Sequence, residues 1–118
     1  MELTIWEIND LQLELDITDA DTAERYEKAL DKLKKDIPKV GTVGLKTSAY
    51  IRAYCKAHRN LYNTLFGDNA GDKIFGNIPD SIVKYNAIYG KFLAFVAKQS
   101  NSASHEIEEL HKKYLPKK

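Results

Sequence analysis

The chain has 118 residues, 43% apolar and 30% charged, with 18 basic against 17 acidic side chains. That is the composition of a globular protein large enough to bury a core without metals, and it lacks the basic excess of generic nucleic-acid binders. No apolar run approaches the roughly 20 residues of a membrane span, and the single cysteine, Cys55, excludes an internal disulfide framework and suits a reducing cytoplasm.

Residues 1–17 predict a β-hairpin, Glu2 to Ile8 and Leu11 to Ile17 around Asn9-Asp10. A two-residue type I′ turn there pairs Ile8 with Leu11, Trp6 with Leu13 and Thr4 with Leu15. One face then carries Trp6, Ile8, Leu11, Leu13, Leu15 and Ile17, while Leu3 and Ile5 lie on the other among Glu7, Gln12, Glu14 and Asp16. A lone hairpin is marginal, so the first face must be covered by helices. Leu3, Ile5 and the open strand edges are left to meet a partner, and self-association by strand pairing into a homo-oligomer is the expectation. The N-terminus has no basic n-region or cleavage-site pattern, so no secretory signal is expected and the location is the cytoplasm.

Helices fill the remainder. Thr18 or Asp19 caps the first, whose stripe is Ala23, Tyr26, Leu30, Leu33 and Ile37, and Pro38 and Gly41 stop it before a flexible connector, 39–44. A second runs from about Leu45 to Phe66 on Ile51, Tyr54/Cys55, His58, Leu61/Tyr62 and Leu65, with Gly67 at its C-terminal cap. The segment 68–77 is expected to be a loop plugged into the core by Ile74 and Phe75. The third helix begins near Pro79 with Ile82, Val83, Asn86, Tyr89, Phe92, Leu93 and Val96 as its apolar face, and Gly90 marks a close approach or a bend. Gln99 to Ser104 are weak helix formers, which predicts a break before a last helix, 105–114, with a thin stripe of Ile107, Leu110 and Tyr114; a continuous third helix is the alternative. The fold class is α+β, one domain over residues 1–118: a hairpin (1–17) packed on three to four helices (18–115), then a basic tail (116–118).

No motif carries catalytic chemistry. Gly41-Thr-Val-Gly44-Leu-Lys46-Thr47 resembles a phosphate loop, but the glycine spacing is wrong and the segment follows a helix rather than a strand. Counted from Asp68, the oxygen-rich turn 68–72 has Lys73 and Pro79 where a calcium loop needs glycine and glutamate. Cys55 and His58 share a helix face, yet two ligands make no zinc site, and without a third member they make no nucleophile pair; Cys55 in the core and His58 at its edge is favoured. Tyrosines 50, 54, 62 and 85 interleave with Arg52, Lys56, Arg59 and Lys84, a pattern used for single-stranded nucleic acid but equally typical of protein interfaces.

The run Leu11 to Leu30, with its acidic helix start and Ala23-Glu-Arg-Tyr-Glu27, the turns Leu65-Phe-Gly67 and Ile74-Phe-Gly76, and the helix ending Tyr89-Gly-Lys-Phe-Leu-Ala-Phe-Val96 resemble small proteins of phage and prophage tail gene clusters in Gram-positive bacteria. The resemblance spans residues 3–97. It implies a non-enzymatic role in tail morphogenesis, as a tail assembly chaperone that binds the tape measure protein and tail tube subunits; the residues themselves lead to the expectation of no cofactor and no membrane. A virion component, such as a tail completion or head-tail connector protein, is the second reading, and a small nucleic-acid-binding regulator the third. A tape measure segment is a long amphipathic helix, and a groove between apolar helices suits one. Tyr54, Tyr62, Tyr85 and Tyr89 on helices two and three are the candidate anchors, beside Leu3 and Ile5 on the hairpin.

Overall fold

In the computed structural model, which describes residues 3–38 and 47–114, Asn9 and Asp10 both take positive φ (48° and 65°), the backbone of a type I′ turn. The turn sets the register of β1 (Ile5–Ile8) on β2 (Leu11–Glu14): Ile8 faces Leu11 and Trp6 faces Leu13, as the alternation requires. Leu15 N–H donates to Thr4 O at 2.8 Å, which extends the ladder past the strands. Trp6, Ile8 and Leu15 are buried by the helices, and the expected face is the one that faces inward. The fold is α+β, an antiparallel hairpin followed by four helices.

Asp19 caps α1 (Ala20–Asp36), its Oδ2 accepting from Thr22 N–H at 3.0 Å; these bonds to the charged form hold its carboxyl below the usual range. Ala29 and Leu33 are buried, with Tyr26 and Leu30 half-buried beside them. The connector 39–44, the glycine-rich 41–46, the start of the second helix at Leu45 and the basic tail lie outside the described residues. Helix α2 (Thr47–Phe66) is the central element and packs against α1, α3 and α4. Gly67, at φ 103°, ends it.

The segment after Gly67 is not a loop. Ala70–Phe75 form a short helix, α3, whose Ile74 and Phe75 are 1% and 2% exposed. An apolar pair four and five residues after Ala70 is buried more economically by one helical turn than by a loop, because the turn also satisfies the backbone. The turn presses on α2: a Cβ on Gly71 would lie 2.6 Å from Arg59 O and 2.9 Å from its Cα, while Gly71 N–H donates to Asn63 Oδ1 at 2.8 Å. Gly71 is the close backbone approach in this fold.

Helix α4 (Ile82–Tyr114) runs unbroken for 33 residues, which corrects the expected break at 99–104. Its buried face is Tyr85, Ile88, Phe92, Val96 and Gln99, whereas Val83 is 80% and Leu93 37% exposed and Asn86 is exposed. The expected face was rotated because Val83 and Leu93 raised the apolar count on a side that no described element covers. Gly90 makes no close approach either; a Cβ there would meet nothing within 4 Å.

Trp6 is the centre of the core. Its ring lies 5.3 Å from Phe92, 5.8 Å from Tyr62 and 6.0 Å from Phe66, so one hairpin side chain joins α2 to α4. Truncating such a residue costs about 3–5 kcal/mol. Polar bonds pin both ends of the hairpin. At the turn, Asn9 Nδ2 donates to Ile74 O at 2.6 Å. At the open end, buried Gln99 donates through Nε2 to Leu3 O (2.9 Å) and Leu15 O (3.0 Å) and accepts from Ile17 N–H.

Gly71→Ala is expected to destabilise by about 1–3 kcal/mol through overpacking, and Gly90→Ala to stabilise by about 0.5–1 kcal/mol through helix propensity. Urea midpoints that move in the same direction for the two variants would contradict this placement. Gln99→Leu strands three hairpin groups and should cost about 2–4 kcal/mol. Hydrogen exchange should show the loss first at the Ile17 amide.

Candidate protein-binding surface

The six sequence-predicted contact residues do not share one surface. Tyr62 and Tyr85 are 0% and 1% exposed, so they belong to the core and are not anchors. A tyrosine stripe beside basic residues reads alike in an interface and in a core, so the sequence does not separate the two. Tyr85 stacks on Phe75 at 3.8 Å, and its hydroxyl accepts from Arg59 Nη1 (2.8 Å), which also binds Asp80 Oδ1 at 2.9 Å. That triad staples the α3–α4 connection to α2.

Tyr54 and Tyr89 are half-buried, each ring packed on His58 (centroids 4.6 and 5.1 Å), and the Tyr54 hydroxyl donates to Asn86 Oδ1. Leu3 is 43% exposed and Ile5 half-buried, and both line a shallow groove of about 280 Å³ with Lys91, Ala94, Phe95 and Lys98 of α4. Only these four keep surface to offer.

A second apolar surface was half-legible. The buried residues of α4, Tyr85, Ile88, Phe92, Val96 and Gln99, are spaced by three, four, four and three, and the same rhythm continues through Ala103, Ile107, Leu110 and Tyr114. This is an 11-residue repeat, close enough to the helical period to stay on one face of a straight helix. Ala103 is half-buried beside Leu3, and beyond it no described element covers that face. Ile107, Leu110 and Tyr114 are 54%, 47% and 68% exposed.

The result is an arm. Residues 100–114 project about 22 Å at the helical rise of 1.5 Å per residue. They account for the long axis of 64 Å and for a radius of gyration of 17.6 Å, where a compact chain of this length would have about 13 Å. At the arm's base Leu3, Ala103, Ile107 and Leu110 line a groove of about 340 Å³, with Asp16 and Glu106 on its rim. The thin stripe was visible in the sequence. The weak helix formers of 99–104 mask its phase with the core of the third helix.

Elsewhere the chemistry is that of packing. Burial pushes the Cys55 thiol up, away from the reactive thiolate. Among the described residues no cluster of three or more His, Cys, Asp or Glu could hold a metal, and no helix is long and apolar enough to cross a membrane. His58 is fully inside the core rather than at its edge, 1% exposed, and its Nδ1, like the Tyr62 hydroxyl, has no hydrogen-bond partner among the described residues. Burial pushes the Tyr62 hydroxyl up and lowers His58 to about 4.

An imidazole lowered from 6.5 to about 4 takes up its proton in the unfolded chain before the folded one. Stability is therefore full above the unfolded value and lost as pH falls from about 6.5 toward 4, by up to about 3 kcal/mol. Urea midpoints measured between pH 7 and 5 should fall for the wild type and stay level for His58→Phe; parallel curves would refute the assignment.

No curated protein and no solved structure matches this chain. A family profile does, over residues 9–118, which takes in β2, all four helices and the whole arm. The chain belongs to DUF6673, a family of unknown function.

Proposed function

We propose that this protein works by binding other proteins rather than by catalysis, and that its place is phage or prophage tail morphogenesis, as a tail assembly chaperone for the tape measure protein and tail tube subunits. The observation that carries the binding role is the apolar stripe of α4, which serves as core up to Gln99 and then continues uncovered along the arm. A helix that leaves its own domain with an apolar face intact is built to meet another surface, and helix-on-helix contact of the i, i+3, i+4 kind is what such a face offers. The tail-assembly role rests on the resemblance of residues 3–97, and a long amphipathic tape measure helix is chemically suited to this face. Leu3, which lines the groove at the arm's base, extends the surface available to it.

Co-expression with the tape measure protein of the same gene cluster tests the reading. The two should co-purify, the tape measure protein should become more soluble, and Ile107→Lys with Leu110→Lys should abolish both effects without unfolding the domain. Abundant copies in purified virions would instead favour a structural component of the particle. Retention on DNA at about 50 mM salt, where phosphate binding is strong, would favour the regulator.

A further inference from the structure

We infer that the arm is also a self-association element, and that two copies of this chain pair through residues 103–114 in antiparallel orientation. The inference rests on reading the arm as a binding surface but not on the phage assignment. The occupant is read from the arm's own pattern of sizes and charges.

The stripe is graded in size, from Ala103 through Ile107 and Leu110 to Tyr114. Set antiparallel with Ile107 opposite Leu110 of the second copy, Ala103 comes to lie opposite Tyr114 of that copy, and the two-fold axis repeats both layers. The smallest stripe residue thus faces the largest, as close-packed helix pairs require. Ala103 lies at the groove beside Leu3, so the incoming tyrosine ring has an apolar wall to rest on. A parallel pair would set Ala103 on Ala103 and Tyr114 on Tyr114, leaving a gap at one end and crowding at the other.

Charge selects the same orientation. Along the arm the acids Glu106, Glu108 and Glu109 precede the bases Lys112 and Lys113. Antiparallel pairing brings Glu106 beside Lys113 of the second copy, twice by symmetry, and delivers the basic end to the base of the other arm, where Asp16 and Glu106 line the groove. Parallel pairing would set Glu106 beside His111 and forfeit both of these ion pairs. Opposite charges flanking an apolar seam are how helix pairs choose orientation. Overlap over about 18 Å of helix is short of a standard interface, so assembly should depend on concentration.

The test uses the full purified chain with no partner present, which separates it from the co-purification experiment. Sedimentation between about 1 and 200 µM should show a shift from 13.4 kDa toward twice that mass. Glu106→Lys alone should weaken the dimer at least tenfold at low salt, and adding Lys113→Glu should restore it. Orientation is read by mixing Ala103→Cys with Tyr114→Cys under oxidising conditions, Cys55 being buried: the expected product is the mixed disulfide. A chain that stays monomeric, a dimer indifferent to Glu106→Lys, or preferential cross-linking of Ala103→Cys to itself would each overturn the proposal. A dimer that survives Ile107→Lys with Leu110→Lys would do so too, and would point to the hairpin edges.

Discussion

One carboxamide holds the architecture together. Gln99 sits where α4 leaves the body, and it meets the open end of the hairpin with both donors in use and its carbonyl engaged: two N–H bonds to Leu3 O and Leu15 O, and the carbonyl taking Ile17 N–H. These groups are separated from Gln99 by more than 80 residues of chain, so the bonds tie together the two ends of the described fold. A buried amide is tolerated only when its groups are matched, and here the matching groups are backbone atoms with no other partner among the described residues, at the end of a two-stranded ladder. The register of the hairpin is thereby locked to the phase of the helix. Asn9 does the same at the turn, against Ile74 O.

With both ends held, Trp6 is placed among Tyr62, Phe66 and Phe92, and the aromatic core forms around the hairpin rather than beneath it. The division of labour is physical. Apolar burial supplies the stabilisation but has little directionality, while the few polar bonds at the periphery choose one arrangement from many of similar burial. The Arg59–Asp80–Tyr85 triad plays that part on the opposite side, fixing the entry of α4 against α2.

The arm is a consequence of the same geometry. Helix propagation past Gln99 costs only a few tenths of a kcal/mol per residue even through Ser100 to Ser104, whereas starting a new helix would cost a fresh nucleus. The packed half of α4 is the nucleus, so the helix runs on into solvent, with Lys112 and Glu109 in contact at 3.6 Å near its end. Local propensity at 100–104 suggested a break because it was judged without the helix already standing before it. The short α3 was missed for the reciprocal reason: its six residues are too few to show a period, and it exists because Ile74 and Phe75 must reach the core while Gly71 lets the backbone close on Arg59.

Sequence alone determined the hairpin, its turn and register, a helix cap at Thr18 or Asp19, the stop at Gly67 and the burial of Trp6, Ile74 and Phe75, because each follows from alternation, φ preferences, capping or apolar content over a few residues. It showed the stripe of Ile107, Leu110 and Tyr114 as well. Only the tertiary structure decided which tyrosines are core, since Tyr62 and Tyr85 share their local pattern with the half-buried Tyr54 and Tyr89 and differ in what packs on them. Only it showed that Gln99 is a buried latch and that α4 is one helix, which carries a single apolar face from the core into solvent. These are long-range facts: a repeat along one segment shows which residues share a face, but not which distant segment covers or hydrogen-bonds that face and where the cover ends.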